Sequence, residues 1–328
     1  MFKNRAASSR FSALAPGSRV QSAAPALRPN GGRARRSSAA LLGGSLFWLV
    51  GFFLLPLVYL FAVSFAERSP YGTIQWVLGL GNYVRAFQPL YLEIYWRSVW
   101  MAALTTVATA LLAYPVAYTI ALVASPRWRS ALLLLVIIPF WTSFLIRTYA
   151  WMVILRTEGL VNNLLLALHL THEPLRLLYT PFAVFMGLVY GELPYMILPL
   201  YAVLQKLDRS LLEAAADLGA GRFRSFWRVT LPLSVPGLVA GCVLVFIPSI
   251  GAFITPDLLG GAKSIMVGNL IQNQFAAVRD QPFGSAVAFA LTFVVLALLM
   301  ASLRSAARVT TVRLRSPSLS EVEGREML

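Results

Sequence analysis

Glu192 is a carboxylic acid inside a long apolar segment that runs from about residue 178 to residue 204. At about 1.5 Å of helical rise per residue, it lies roughly 20 Å from the start of that segment, near the middle of a membrane. An ionisable group at that depth is costly, so it marks either a site or a buried ion pair. Two interpretations stay open: Glu192 offers a negative charge to a cationic solute, or it pairs with Arg147.

Aromatic and polar side chains in neighbouring segments extend this candidate site. Aromatic rings can face a cation, but rings near the ends of membrane helices also form an interfacial belt. Pro248, Gly251 and Pro256 interrupt another apolar segment. Interrupted helices in transporters usually line the pathway, although membrane helices also contain prolines that have no such role. The residues predicted to line a solute pathway are Trp141, Arg147, Tyr149, Glu192, Tyr195 and Asp257.

The remaining reactive side chains do not make a convincing catalytic or metal site. His169 and His172 stand three residues apart beside Glu173, but no fourth ligand accompanies them. Gly260–Ser264 (GGAKS) resembles a phosphate-binding loop but has Ala262 where that motif has glycine. A nucleophile elbow and a metalloprotease helix are also missing from the sequence. We therefore expect no enzymatic activity, no metal and no cofactor on this chain.

A polar stretch from Lys206 to Gly237 separates two apolar segments and offers the main surface to a soluble partner. Leu211–Leu218 (LLEAAADL) contains strong helix formers with three small alanine side chains, and Gly219 supplies a helix stop. After a corner at Gly221, a second piece is amphipathic. Its basic positions are Arg222, Arg224 and Arg228, and its apolar positions are Phe223, Phe226, Trp227 and Val229. The pattern predicts two helices joined by a corner at the membrane surface.

This stretch resembles the EAA signature of ABC-importer permeases, the membrane subunits of binding-protein-dependent uptake systems. The signature comprises Glu213-Ala214-Ala215, then Gly219, and Leu231-Pro232 a dozen residues after Gly219. An ordinary connecting loop would explain the glycine and the proline but not the whole spaced set. The resemblance implies a coupling helix that docks into a cleft of a cytoplasmic ATPase, which would itself hold ATP and magnesium. The residues that it assigns to this coupling loop, 206–231, are Glu213, Ala214, Ala215, Asp217, Gly219, Leu231 and Pro232.

Four further stretches are similar to the spermidine/putrescine branch of these permeases. They are residues 139–151, 193–201, 253–261 and 282–286, and the likeness as a whole covers about residues 41–305. It implies the type I importer permease fold. The partners it implies are a second permease subunit in a heterodimer, an ATPase dimer and a periplasmic or extracellular solute-binding protein. Polyamines are the solute it indicates, and related importers for amino acid derivatives, opines or ferric iron are the alternatives.

Six apolar segments must position these residues, and each is long enough to cross a hydrocarbon layer of roughly 30 Å. They span about 41–65, 98–124, 130–155, 178–204, 232–256 and 283–303. With 58% hydrophobic residues and a mean hydropathy of +0.70, the chain is too apolar for a soluble domain. Backbone amides within lipid must bond to one another, so these segments should be helices. The predicted fold class is an all-α polytopic membrane protein with six transmembrane helices.

Charge distribution indicates the orientation. Most of the 28 Lys and Arg residues lie in the N-terminal tail, the loop after residue 124, the coupling loop and the C-terminal segment. By the positive-inside rule, these parts and both termini face the cytoplasm of a bacterium whose inner membrane holds the chain. Residues 1–38 are predicted to be a disordered basic tail, 39–307 the transmembrane domain and 308–328 a second cytoplasmic tail. The tail composition also fits an organelle transit peptide.

The basic residues behind the net charge of +15 are distributed as membrane topology requires. Lipid, and not nucleic acid, is therefore the expected charged partner. Connections on the opposite side should carry local structure. Ser69–Gly72 (SPYG) predicts a turn, and short helices are predicted after Gly81 and after Gly159. These surfaces are candidates for contact with a solute-binding protein.

Two other classes of function compete with the importer. A secondary transporter usually contains an inverted repeat, and none is clear in this sequence. A membrane scaffold would need neither Glu192 nor an interrupted fifth segment. Purifying the chain with and without a candidate ATPase would distinguish the three.

Overall fold

The structure is a computed structural model that describes residues 31–313. The chain divides into two units, residues 1–55 and 56–328. Within the described residues, the first unit holds the beginning of one long helix, and the second unit holds all the elements of the candidate sites. The predicted N-terminal tail overlaps the start of that helix at Gly31, and its residues 1–30 lie outside the described residues, as do 314–328 of the predicted C-terminal tail.

Helices dominate the described chain. They are α1 (Gly31–Ser64), α2 (Gly81–Ala86), α3 (Pro89–Tyr118), α4 (Pro126–Ile137), α5 (Phe144–Leu155), α6 (Leu160–Ala167), α7 (Pro181–Leu204), α8 (Arg209–Asp217), α9 (Arg222–Ser225), α10 (Leu231–Ile250), α11 (Val267–Ala276) and α12 (Gln281–Arg313). Short π-helical turns cover Thr119–Val123, Phe226–Thr230 and Pro256–Gly260, and 3-10 turns cover Ile138–Trp141 and Gly261–Ser264. Strands β1 (Glu67–Arg68) and β2 (Ile74–Gln75) form a small antiparallel hairpin.

Within residues 31–313, five helical stretches are long and apolar enough to cross a membrane. They are Leu46–Ser64, Pro89–Val123, Pro181–Leu204, Arg222–Ile250 and Gln281–Met300. A sixth crossing results if the helices Pro126–Trp141 and Phe144–Ala167, which bend by 90° at their junction, are counted as one broken span. The count agrees with the predicted six segments, and the fold is helical as expected.

The third predicted segment, 130–155, is therefore not one continuous helix. Pro139 has no N–H to donate, and its ring clashes with the preceding turn of a helix. The chain tightens into the 3-10 turn at Ile138–Trp141 and then leaves helical geometry, and the Thr142 hydroxyl donates to the Pro139 carbonyl at 2.6 Å. A new helix starts at Phe144 in a different direction. The break places Phe140 and Phe144 on opposite sides of a sharp bend.

Helices α3, α7 and α10 form the core that positions the candidate sites. Small residues allow their backbones to approach closely, which is the usual way that helices pack in membranes. A Cβ atom built on Gly241 of α10 would lie 2.5 Å from the sulfur of Met196 on α7, and one on Gly237 would lie 2.8 Å from the Pro199 carbonyl. Because α7 and α10 touch along this pair of glycines, the two helices are held in a fixed relation.

The connections at the end of α3 that lies away from α8 carry the local structure that the sequence predicted. They also contain one helix that was not predicted. The turn at residues 69–72 closes the β hairpin, and α2 and α6 are the two expected short helices. Helix α11 was not predicted.

An ion pair of 2.8 Å joins Arg85 of α2 to Asp280. The Asp280 side chain is buried and also accepts a hydrogen bond from the Phe283 N–H at the start of α12.

Candidate functional site

Glu192 lines a cavity of about 230 Å³ inside the second unit. The side chain projects from α7 about eleven residues after Pro181, or roughly 17 Å along the helix. Phe144 at the start of α5 forms one wall, Gly187 and Gly191 of α7 form another, and residues 251–255 after α10 form a third. The cavity thus joins the bent third segment, the fourth span and the interrupted end of the fifth, which are the segments that the sequence indicated.

Among the residues that the structure describes, the carboxylate of Glu192 has no cationic partner at ion-pair distance. Its Oε2 atom is buried and lacks a hydrogen-bond partner among the described residues. Ion pairs in the described part of the chain join Arg85 with Asp280 and Arg97 with Glu93, so the proposed pair with Arg147 is not formed. Arg147 still attracts Glu192 electrostatically from a greater distance. The carboxylate is therefore available to a cation that enters the cavity.

Arg147 makes its contacts with aromatic rings. Its guanidinium carbon lies 4.9 Å from the centre of the Phe140 ring and 5.8 Å from that of Phe144, distances at which a cation and a ring attract each other. Its Nε atom is buried and has no hydrogen-bond partner in the described residues. Arg147 therefore lies near one ring on each side of the bend, and it contacts the cavity wall through Phe144.

The other predicted pathway residues do not line this cavity. Trp141 is 86% exposed at the bend, Tyr149 is 53% exposed on α5, and Tyr195 is 43% exposed with its ring 5.1 Å from that of Phe140. Asp257 is exposed in the π-helical turn after α10. Of the six predicted residues, Glu192 alone is part of the wall. Phe144, Gly191 and Thr255 also line the cavity. These three residues were not among the predicted pathway residues.

A glycine and a buried amide set the cavity's shape. A Cβ atom on Gly187 would lie 2.5 Å from Cδ1 of Leu259 and 2.8 Å from Cγ2 of Thr255, so only glycine lets the chain after α10 approach α7. The Asn269 side chain of α11 donates to the Phe253 carbonyl at 2.7 Å and accepts from the Met266 N–H. These contacts hold residues 253–259 against α7 after α10 has ended.

Helix α8 lies in the loop that was predicted to be the coupling loop, and both of its ends are capped. The Asp208 carboxylate accepts a hydrogen bond of 3.0 Å from the Ser210 N–H, which lowers the pKa of Asp208 below its ordinary value. At the other end, Gly219 has φ +77°. The Gly219 N–H donates to the Ala216 carbonyl and the Ala220 N–H to the Ala215 carbonyl, both at 2.9 Å. This pair of bonds is a Schellman motif, which confirms the predicted helix stop.

Most of the surface of α8 is uncovered within the described chain. None of its residues is buried, and Ala215 alone of its small side chains is half-buried. Glu213, Ala214 and Asp217 are exposed, and Leu218 just beyond the helix is 89% exposed. Leu218 and the exposed side chains of α8 thus lie uncovered by the described chain.

Contacts made by Arg209 and by Phe226 tie the coupling loop to the bundle, and a third contact joins α3 to α10 beside it. The Arg209 guanidinium donates to the Leu122 carbonyl at the end of the α3 stretch, at 2.9 Å. The Phe226 ring lies 5.4 Å from that of Tyr114 on α3, and the Tyr114 hydroxyl lies 2.8 Å from that of Ser234 on α10. A movement of α8 would therefore reach α3 and α10 together.

The fifth span begins earlier than residue 232. Helical structure runs without interruption from Arg222 to Ile250, and the π-helical turn at Phe226–Thr230 lies directly before Leu231 and Pro232. In this turn the Leu231 N–H reaches back five residues to the Phe226 carbonyl, an adjustment that accommodates a proline without an N–H to donate. Leu231 and Pro232 thus lie inside the helix that links the coupling loop to α10.

Comparisons with known proteins fit this architecture. Residues 113–308 match the family described as "Binding-protein-dependent transport system inner membrane component". A crystal structure of a bacterial ABC transporter involved in the import of the acidic polysaccharide alginate aligns with a TM-score of 0.71. The alignment covers 85% of this chain and 97% of that chain at 19% identity, so it shows the fold alone, which is that of an ABC importer permease.

Relatives of known sequence are closer. The spermidine/putrescine transport system permease protein PotB of Haemophilus influenzae is 46% identical over 253 residues, which are 77% of this chain and 88% of that protein. PotB of Escherichia coli is 44% identical over 247 residues, 75% of this chain and 90% of that protein. The inner membrane ABC transporter permease protein YdcU of Escherichia coli is 34% identical over 232 residues, 67% of this chain and 72% of that protein. This chain therefore belongs to the inner membrane components of binding-protein-dependent transport systems, as a multi-pass permease of an ABC importer and not as an enzyme.

Proposed function

We propose that this permease carries polyamines of the spermidine and putrescine class. The observation that supports the proposal most strongly is the identity of 44% or more to two permeases named for that transport, over at least 75% of this chain. The cavity chemistry supports it as well. Alkylamines are cationic at neutral pH because their pKa lies near 10, and Glu192 offers a carboxylate without a cationic partner at ion-pair distance.

The substrate is tested by uptake into proteoliposomes that contain the assembled importer and its solute-binding protein. Putrescine and spermidine should accumulate when ATP is supplied, and the solute-binding protein should bind them tightly by calorimetry. Tight binding of an anion or a sugar by that receptor, with no response to polyamines, would refute the substrate assignment and leave family membership intact.

The role of Glu192 is tested by Glu192→Gln, with Glu173→Gln as the matched control because Glu173 is exposed and lies outside the cavity. A hydrogen bond to a charged group contributes about 1.5–3 kcal/mol, so KM for polyamine uptake should rise roughly 10- to 150-fold in Glu192→Gln. The control should keep the wild-type KM. If Glu192→Gln instead fails to assemble and Arg147→Gln restores assembly, the pair has a structural role and the pathway role is wrong.

We also infer that α8 is the element through which a separate ATPase drives transport. Its capped ends, its lack of buried residues and the exposed Leu218 support this role. In this scheme the ATPase dimer closes on ATP, and α8 and its counterpart on a second, non-identical permease move together. No nucleotide or magnesium would bind to this chain itself.

Ala215→Arg tests the coupling role, because the long cationic side chain would obstruct a docked surface at a half-buried position. Membrane insertion should be preserved, whereas ATP-driven uptake should be lost or the ATPase should dissociate. Ala167→Arg, at an exposed position at the end of α6, is the control and should change neither property. Unchanged uptake by Ala215→Arg would show that this surface does not couple transport to ATP.

The orientation that this scheme requires places both termini and α8 in the cytoplasm and the β hairpin on the outer side. A solved transporter with the same fold is described as being in complex with an alginate pentasaccharide-bound periplasmic protein, which supports an outer receptor here. In a chain with Cys242→Ser, cysteines introduced one at a time at Ser210 and at Thr73 should react with an impermeant thiol reagent from opposite sides of the membrane. Labelling of both from one side would contradict the orientation.

A further inference from the structure

The helical stretch between Gly221 and Leu231 has two faces of different character. On one face, Phe226 packs its ring 5.4 Å from that of Tyr114, and Thr230 is buried. On the other face, Phe223 is 78% exposed and Trp227 is 52% exposed, and their ring centres lie 6.1 Å apart. The second face thus presents a contiguous pair of exposed rings, of which Trp227 also packs edge-on against Phe226 with ring centres 5.7 Å apart.

Three exposed arginines flank this aromatic pair: Arg222, Arg224 and Arg228. The ion pairs in the described part of the chain lie elsewhere, so these three cations have no carboxylate within 4.0 Å. The acidic residues of the coupling loop, Asp208, Glu213 and Asp217, all precede the corner at Gly219. The acids of this loop therefore all precede the corner, together with Lys206 and Arg209, whereas the helix that follows carries cations alone.

The position of this face along the helix indicates its surroundings. Helical structure continues from Arg222 into the apolar span that begins at Leu231. Trp227 lies four residues before Leu231, which is roughly 6 Å along the axis and corresponds to the headgroup level of a bilayer. Tryptophan and phenylalanine beside arginine are the side chains that amphipathic helices use at that level.

We propose that this face, defined by Phe223, Arg224, Trp227 and Arg228, binds the headgroups of anionic phospholipids in the leaflet nearest α8. The arginines contact lipid phosphates, and the two rings lie among the headgroups. The ATPase is the less suitable occupant, because α8 presents a separate exposed surface on the other side of the corner. The bound lipid fixes the distance between the corner at Gly219 and the membrane. A force on α8 therefore rotates the coupling loop about the lipid-bound face.

Native mass spectrometry of the purified full chain tests the proposal, with phosphatidylglycerol titrated in one series and phosphatidylcholine in another. Each arginine near an anionic surface raises the affinity for anionic lipid about fivefold. The double variant Arg224→Gln/Arg228→Gln should therefore bind phosphatidylglycerol roughly thirtyfold more weakly. Its affinity for phosphatidylcholine should not change. Arg156→Gln/Arg176→Gln removes two exposed arginines from the connection between α5 and α7 and should retain wild-type affinity.

The charge-preserving variant Arg224→Lys/Arg228→Lys separates lipid binding from misfolding, and it should keep most of the preference for phosphatidylglycerol. Equal phosphatidylglycerol affinity in the glutamine variant and the wild type would overturn the proposal. So would an equal loss in the Arg156→Gln/Arg176→Gln control. If the glutamine variant keeps its lipid affinity but loses the ATPase from the solubilised assembly, the face is a protein contact and the proposal is wrong. The transport assays for Glu192 and Ala215 are independent of these outcomes.

Discussion

Gly219 and Gly221 form a natural matched pair for testing how α8 is terminated. No atom lies within 4 Å of a Cβ built on either glycine, so an alanine meets no steric obstacle at either position. The two differ in backbone conformation, because Gly219 has φ +77° whereas Gly221 has φ −63°. Alanine in the left-handed region costs about 1–2 kcal/mol, and at φ −63° it carries no such cost.

Gly219→Ala should therefore weaken the Schellman motif at the end of α8, whereas Gly221→Ala should not. The cost of about 1–2 kcal/mol corresponds to a roughly 5- to 30-fold shift toward the open helix end. The Ala220 N–H, which donates to the Ala215 carbonyl, reports that opening through hydrogen exchange. Exchange at Ala220 should accelerate by that factor in Gly219→Ala and stay at the wild-type rate or slow slightly in Gly221→Ala.

Hydrogen–deuterium exchange with mass spectrometry on the protein in nanodiscs makes the measurement, and peptides from the β hairpin serve as an internal control. Equal exchange at Ala220 in the two variants would refute the reasoning, because it would show that the positive φ of Gly219 is not what terminates α8. Faster exchange at Ala220 in both variants would also refute it, because the flexibility of the whole corner, and not the positive φ of Gly219, would then control the exchange. Uptake measured in parallel shows whether the helix end matters for coupling.

The remaining predictions concern helix packing and pH. Gly241→Leu should destabilise the α7–α10 contact by about 1–3 kcal/mol, because its Cβ would lie 2.5 Å from the Met196 sulfur, and thermal unfolding in detergent should occur at a lower temperature. Gly51→Leu, where a Cβ has no neighbour within 4 Å, should leave the unfolding temperature unchanged. Since hydrogen bonding from Ser210 lowers the pKa of Asp208 below 3.8, the cap should be complete above that pH and lost as the pH falls through the lowered pKa. Asp208→Asn should abolish this pH dependence of exchange protection at the start of α8.

Hydropathy and local motifs predicted most of the fold. The apolar segment that became α7 was located within three residues at both ends, and the start of α12 within two, because uncharged runs of this length have few alternatives to a membrane helix. Gly219 was identified because its role is local, since a left-handed residue after a helical run is set by the chain itself. The start of α3 at Pro89 was missed by nine residues, since its first turns carry Glu93 and Arg97 and do not look apolar.

The cavity wall was harder to predict, because helices that are apolar on all sides give no periodic signal for their inner face. Glu192 was identified by its charge alone. Phe144 lines the cavity with Glu192 only because the chain bends after Pro139. Thr255 lines it only because Gly187 lets the chain after α10 pack closely against α7. Both are tertiary effects. Pro139 was a readable signal for the bend, but the run around it is uniformly apolar, which favoured an unbroken span.

The structure also explains how an event at α8 reaches a cavity in the middle of the bundle. Helix α7 carries Glu192 at its centre and ends at Leu204, four residues before the α8 cap at Asp208. Helix α10 receives the chain after the corner and ends beside the same cavity. Because Gly237 and Gly241 hold these two helices in close contact, they respond to a displaced α8 as one body. The wall at Phe144 belongs to α5, beyond the bend, and it lacks that direct connection. Opening of the cavity is therefore expected between α5 and the α7–α10 pair.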